Sequence, residues 1–278
     1  MNQKIGFMQG RLSPLIGGKI QSFPWDNWEC EFAIAESIDI KIMEWTLDQE
    51  RLYENPLLNR DGQVKITNYC KATNLSIPSI TGDCFMQSPF WKAKGVLRQD
   101  LERDFIAICE ACSKLNIKII VIPLVDNGRI ENNDQKQSLI NFLGEQVDLL
   151  KKYQLRIAFE SDLPPLELGN LIDKFDINLF GINYDIGNSA SMGFDSDLEL
   201  NSYGSRIINV HIKDRLLNGT TVPLGEGNAN FPKVFEGLKS YNYQGNYIMQ
   251  TARAIDGNHI LALNNYKKFI LNSFLVVS

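Results

Sequence analysis

Eight short apolar runs, rich in β-branched and aromatic residues, recur along this chain and alternate with stretches of helical periodicity. They fall at residues 4–9 (KIGFMQ), 40–46 (IKIMEWT), 76–81 (SIPSIT), 118–125 (KIIVIPLV), 156–161 (RIAFES), 179–185 (LFGINYD), 207–213 (IINVHIK) and 247–252 (YIMQTA). Between them lie patterns such as DNWECEFAIAESI, NNDQKQSLINFLGEQVDLLKKY, NFPKVFEGLKSY and NHILALNNYKKFILNSFL, whose apolar residues return every three or four positions. Strand and helix in strict alternation imply parallel strands joined by right-handed crossovers, and eight such units in 278 residues fit an α/β fold of one closed (β/α)8 barrel spanning 1–278. A doubly wound open sheet is the alternative. It is disfavoured because MQGRLSPLIGG, after the first run, lacks the GxGxxG spacing of a phosphate-binding turn. A glycine-rich insertion at 216–231, containing GTTVPLGEGNANF, interrupts the seventh unit and is expected near the catalytic face, as a surface hairpin, a lid or both.

Composition narrows the function classes. A net charge of −5 supplies no general basic field for a phosphate backbone, so nucleic acid is not an expected partner. No apolar run approaches the roughly 20 residues that span a bilayer, and no signal-like segment opens the chain, so a soluble cytoplasmic setting away from membranes is expected. Five cysteines, Cys30, Cys70, Cys84, Cys109 and Cys112, fit reduced thiols. The CxxC of ICEAC sits inside a helical pattern with no second cysteine pair to complete a zinc site, which makes it core or helix surface.

In a barrel, chemistry gathers where strands end at the C-terminal face. The polar residues there are Gln9, Glu44, Thr81 or Asp83, Asp126, Glu160, Asp185, His211 and Gln250. The last four fall about one βα unit apart, and two carboxylates, an imidazole and an amide oxygen on successive strands can hold a divalent cation. Each of them could instead cap a helix or satisfy a loop.

The residues FESD with Glu160, NYDIGN with Asp185, NVHIKD with His211, and PLGEGNANF before the seventh helix resemble the xylose isomerase-like TIM barrels across nearly the whole chain. That family includes sugar isomerases, ketose 3-epimerases, inosose dehydratases and a DNA-repair endonuclease branch. The resemblance implies a metal-dependent enzyme of carbohydrate metabolism, with Glu160, Asp185 and His211 holding a divalent ion (Mn, Mg, Co or Zn), a small sugar or sugar derivative as substrate, and a homodimer or homotetramer. The endonuclease branch needs several histidines, whereas this chain has only His211 and His259, the latter in a helical pattern away from any strand end.

Two positions depart from the family. Gln250 stands where its metalloenzymes bring glutamate, and Asn188 where many members have histidine. An amide oxygen can still ligate a metal, but it carries no charge and accepts no proton, so an epimerisation using two glutamates loses one of them. Glu160 is then the remaining base, acting beside a carbonyl through an enediolate, and Lys213 is a second acid and base or else a partner for Asp185 or Glu226. Arg215 either holds a substrate anion or fixes the insertion. Gln9, Glu44, Asn188 and Trp91 are candidate substrate contacts. For Glu44 the alternative is a buried carboxylate orienting Lys213; for Phe90 and Trp91 it is loop packing; for Arg11 it is a loop salt bridge. A dehydratase and a non-catalytic sugar-binding barrel are the competing functions.

Overall fold

In the computed structural model, which describes residues 2–276, eight parallel strands close into a barrel. They are Ile5–Met8, Ile42–Thr46, Ser76–Thr81, Ile119–Leu124, Arg156–Ser161, Phe180–Asp185, Ile207–Ile212 and Tyr247–Met249. Each pairs with its sequence neighbours and the last closes onto the first, Ile5 opposite Tyr247 and Phe7 opposite Met249. This is the (β/α)8 architecture, and it excludes the open doubly wound sheet.

The apolar faces of the helices explain the closure. Helices such as Arg60–Thr73, Gly95–Lys114, Asn133–Glu145, Phe231–Ser240 and His259–Val276 bury residues including Ile66, Phe105, Leu139, Phe235 and Ile270 in one continuous core with outward-facing strand residues such as Phe7 and Met43. Several carry the local signals of their ends. Asn59 caps Arg60–Thr73 by accepting from Gly62 N, and Asn74 closes it in the left-handed conformation at φ 51°. Cys109 and Cys112 lie buried along Gly95–Lys114, and all five cysteines are free.

Inside the barrel, side-chain size sets how closely strands approach. A Cβ at Gly6 would meet Ile42 Cγ2 at 2.5 Å, and one at Gly181 would meet Ile208 Cγ2 at 2.7 Å. Two small apolar clusters, Met8 with Ile42 and Ile248, and Val121 with Ala158 and Ile208, are separate from the main core. Alternation then brings polar residues inward nearer the C-terminal ends, at Glu44, Glu160, Asp185, His211 and Gln250.

The eighth strand is shorter than expected, ending at Met249, yet Gln250 N still donates to Ile212 O at 3.0 Å, so the ladder carries the glutamine to the mouth. After the seventh strand, Asp214–Arg215 pairs antiparallel with Thr221–Val222, so the expected insertion begins as a two-stranded hairpin. Its glycine-rich return is pinned by Asp214, whose carboxylate accepts from the backbone N–H groups of Gly225 (2.9 Å), Gly227 (3.0 Å) and Ala229 (3.1 Å).

Candidate active site at the barrel mouth

Glu160, Asp185 and His211 end the fifth, sixth and seventh strands, and one ligand atom from each lies within 4.8 Å of the others. All three are buried. His211 Nε2 is anchored to Glu44 Oε1 at 2.7 Å, leaving Nδ1 facing Glu160 Oε2 at 3.1 Å and Asp185 Oδ2 at 3.9 Å. Asp185 is held by the helix it starts: its Oδ1 caps Ile186–Met192 through Asn188 N at 2.8 Å, which leaves Oδ2 directed at the cluster. Glu160 receives an amide N–H on each oxygen, from Asn188 at 2.8 Å and Asn183 at 2.9 Å.

Electrostatics follows from this burial. Burial works against charge on Glu160, but the His211 ring, Lys213 and Asn183 outweigh it and hold the carboxyl below its usual range. Asp185 is pushed up, chiefly by burial, with Glu160 adding to the rise and Lys213 and His211 opposing it. Burial also disfavours an imidazolium at His211, yet Glu44 and Glu160 raise the ring to about 10.

The donor set suits a divalent cation. His211 Nδ1 is a buried ring nitrogen without a well-formed hydrogen bond, and it faces the same small space as Glu160 and as Asp185 Oδ2, which lies 2.6 Å from the Lys213 ammonium. The opposite ring nitrogen fixed on a carboxylate is the arrangement that orients a metal-binding imidazole. Three protein ligands leave a position open, as catalytic metal sites require.

Gln250, expected beside them as a fourth ligand, has its Oε1 occupied: it accepts from Lys213 Nζ at 2.7 Å, while the same ammonium lies 2.6 Å from Asp185 Oδ2. Of the two partners weighed for Lys213, Asp185 is therefore the one it meets. The Gln250 amide also donates to Gln21 Oε1 at 2.8 Å, and Gln21 in turn donates to Asp83. A chain of polar groups thus crosses the mouth from strand eight, through the first loop, to the end of strand three. Burial and the nearby Asp48 charge push Asp83 up to about 7.

A cavity of about 290 Å³ opens over this cluster, lined by Arg11, Gln21, Asp83, Asp126, Glu160, Asn188, Lys213, Arg215 and Gln250 with further loop residues. Arg215 joins both roles weighed for it, lining the cavity while its guanidinium donates to Gly219 O at 2.8 Å and Asn188 Oδ1 at 3.0 Å. Arg11 braces the first loop through Ile20 O at 2.9 Å; burial, followed by the Arg253 charge, lowers it to about 9. Arg253 itself donates to Gly10 O and Ser13 O, tying the strand-eight loop to the same segment.

Three expected substrate contacts lie elsewhere. Trp91 is buried, its Nε1–H on Gly128 O at 3.2 Å and its ring 5.0 Å from that of Phe90, so it packs the loop rather than facing a sugar. Gln9 is fully buried, accepting from Thr46 N at 3.1 Å. Glu44 is fully buried beneath His211 and accepts from Ser79 Oγ at 2.7 Å and Asn209 Nδ2 at 2.8 Å besides the ring, so it orients the imidazole and not Lys213, whose ammonium meets Gln250 and Asp185. His259 starts the last helix, its Nδ1 accepting from Ala254 N at 3.2 Å. Gln21, Asn183, Asn209 and Asp214 were not singled out from sequence. Asn183 and Asn209 sit two residues before Asp185 and His211, so the two-residue period already placed them on the inward face.

The closed barrel places this chain among the (β/α)8 proteins, with a carboxylate–imidazole group at its mouth that could hold a metal ion. The chain belongs to the xylose isomerase-like TIM barrel family, whose pattern matches residues 32–262. It is 27% identical over 236 residues to the L-ribulose-5-phosphate 3-epimerase UlaE of Escherichia coli O1:K1 / APEC, covering 80% of this chain and 81% of that protein. Among solved structures it resembles 3-keto-D-glucoside 4-epimerase, YcjR, from E. coli, with TM-score 0.72 and 16% identity over 96% of this chain and 99% of the other. It also resembles the IOLI protein with a binding zinc atom, with TM-score 0.73 and 16% identity over 99% and 97% of the two chains. No helix among the described residues is long and apolar enough to cross a membrane.

Proposed function

We propose that this protein is a sugar isomerase or epimerase that moves a proton on a carbon next to a carbonyl, with Glu160, Asp185 and His211 holding a divalent cation (Mn, Mg, Co or Zn). The observation that carries this reading is the His211 ring, anchored through Nε2 on Glu44 while Nδ1 faces the carboxylates of Glu160 and Asp185. When bound, such a cation supplies Lewis acidity toward a substrate carbonyl. The relative at 27% identity supports a ketose or ketose phosphate as substrate, and Arg11 and Arg215 offer cationic groups in the cavity.

Glu160 is the base. Its environment keeps it ionised, and its two amide donors fix its plane at the cavity floor. It takes the proton from the substrate carbon, the C–H electron pair moves into the carbonyl, and an enediolate results. Glu160 then returns that proton to the former carbonyl carbon while the proton of the adjacent hydroxyl passes to the former carbonyl oxygen, which isomerises the sugar. Alternatively, the Lys213 ammonium protonates the original carbon from the strand-seven side, which epimerises it, and solvent resets both groups.

The test is carbon-bound proton exchange in D2O, with metal-reloaded protein and a panel of L-ribulose 5-phosphate, D-psicose and a 3-keto-glucoside, read by NMR. Metal-dependent exchange, lost in Glu160→Gln, is expected; none across the panel with the metal bound sinks the reading. Gln250 in place of a carboxylate favours, as second reading, a barrel that binds a sugar without turning it over. Sugar binding without exchange is its signature in the same experiment.

A further inference from the structure

We infer that Lys213 is the residue that sets cation affinity at this mouth, because its ammonium and a bound divalent cation compete for Asp185 Oδ2 and Gln250 Oε1. The inference rests on the metal reading given above and concerns what governs entry to that site.

Asp185 has divided its two oxygens. Oδ1 is committed to capping the next helix through Asn188 N, so only Oδ2 is available to a cation. That oxygen lies 2.6 Å from Lys213 Nζ, and Gln250 Oε1 accepts from the same Nζ at 2.7 Å. The ammonium therefore already sits where two oxygens of the site converge. A divalent ion among Glu160, Asp185 and His211 would lie close to it, and like charges at such separations in a buried site repel strongly.

Lys213 is also built to yield. A Cβ at Gly187 would lie 2.7 Å from Lys213 Cγ, so the stem lies against a position without a side chain, while the residue lines the open cavity. The stem is packed and the residue borders the cavity. Gln250 stays in place, because its Nε2 is tied to Gln21 Oε1 at 2.8 Å, and its oxygen, once vacated, faces the site as a neutral donor. Cation loading thus delivers an ammonium into the cavity, where a substrate oxygen or carbon can meet it.

The experiment titrates the metal-free full chain with Mn2+ alone, comparing wild type, Lys213→Met, Lys213→Arg and His211→Ala, with circular dichroism to verify folding. Affinity is expected to rise about tenfold or more in Lys213→Met and not in Lys213→Arg. Binding by Lys213→Met where wild type shows none supports the inference equally. In wild type, reductive methylation of Lys213, read by peptide mass spectrometry, is expected to accelerate when Mn2+ saturates the site. Mn2+ held by wild type and lost in His211→Ala, with folded Lys213→Met unchanged or weaker, overturns this inference and leaves the metal site standing. Unchanged methylation on saturation overturns it as well, and no Mn2+ bound by any variant removes both readings.

Discussion

Glu44 Oε1 and His211 Nε2 meet at 2.7 Å inside the barrel, with both side chains fully buried. Glu44 is not among the residues lining the mouth cavity, yet it fixes which ring nitrogen faces the cluster. Glu44→Gln keeps the shape and removes the charge, so cation affinity should fall by about 10–100-fold, the usual cost of disturbing a partner behind a metal-binding histidine. Glu44→Ala also strands the donors of Ser79, Asn209 and His211, and should lower stability by about 1–3 kcal/mol in urea unfolding. Unchanged Mn2+ affinity in Glu44→Gln would place His211 outside the site.

The raised His211 ring gives a pH signature. Glu44 and Glu160 hold the imidazole at about 10 against a reference of 6.5, so the metal-free ring is protonated at neutral pH. A cation on Nδ1 must displace that proton. One proton should leave per ion bound, and apparent affinity should rise about tenfold per pH unit up to about pH 10. Calorimetry in two buffers of different ionisation enthalpy counts the proton. For the metal-free protein the folded value lies above the unfolded one, so this stabilisation is complete below about pH 6.5 and lost as pH rises through about 10. His211→Ala should flatten that fall; metal binding without proton release would contradict the assignment.

Periodicity made the barrel and its mouth legible, because every strand's polar end is fixed by alternation and chain order alone. What it left unread depends on who meets whom across the barrel. Glu44 has the same strand-end appearance as Glu160, but only three-dimensional register shows it lying beneath a histidine 167 positions away. Trp91 misled because an aromatic in a long loop looks the same whether it faces a sugar or packs on Phe90. Gln250 was placed correctly at the mouth, but its partner Gln21 lies 229 residues off in an irregular loop, where spacing carries no signal.

Asp214 should act on the strand-seven insertion rather than on the cation. Its buried carboxylate gathers three backbone N–H groups, and a Cβ at Gly227 would lie within 2.6 Å of its Cγ. Asp214→Ala leaves those amides unpaired and should cost about 2–3 kcal/mol, with limited proteolysis appearing between residues 216 and 229. Gly227→Ala should open the same segment by displacing the carboxylate. Digestion indistinguishable from wild type in both variants would mean that the segment is held by other contacts.

Gln250→Glu separates the two tasks of the amide. The carboxylate adds a negative charge beside Asp185 and Lys213, so cation affinity should rise about tenfold if position 250 lies within reach of the ion. The same change removes the donor that now meets Gln21 Oε1 at 2.8 Å and sets two acceptors against each other. Gln21 can flip its amide to meet the new carboxylate, but it then withdraws its N–H from Asp83, a buried carboxyl already pushed up to about 7. Without the flip Gln21 Oε1 keeps Arg11 Nη2 at 3.3 Å as a donor but lies against the new carboxylate; with it that contact is lost as well, so either arrangement costs about 1 kcal/mol of stability and loosens the first loop. Tighter Mn2+ binding with a lower unfolding midpoint is therefore the expected pair of results. Unchanged affinity with lowered stability would make Gln250 a brace for Lys213 and Gln21 alone, with its oxygen outside the coordination of the ion.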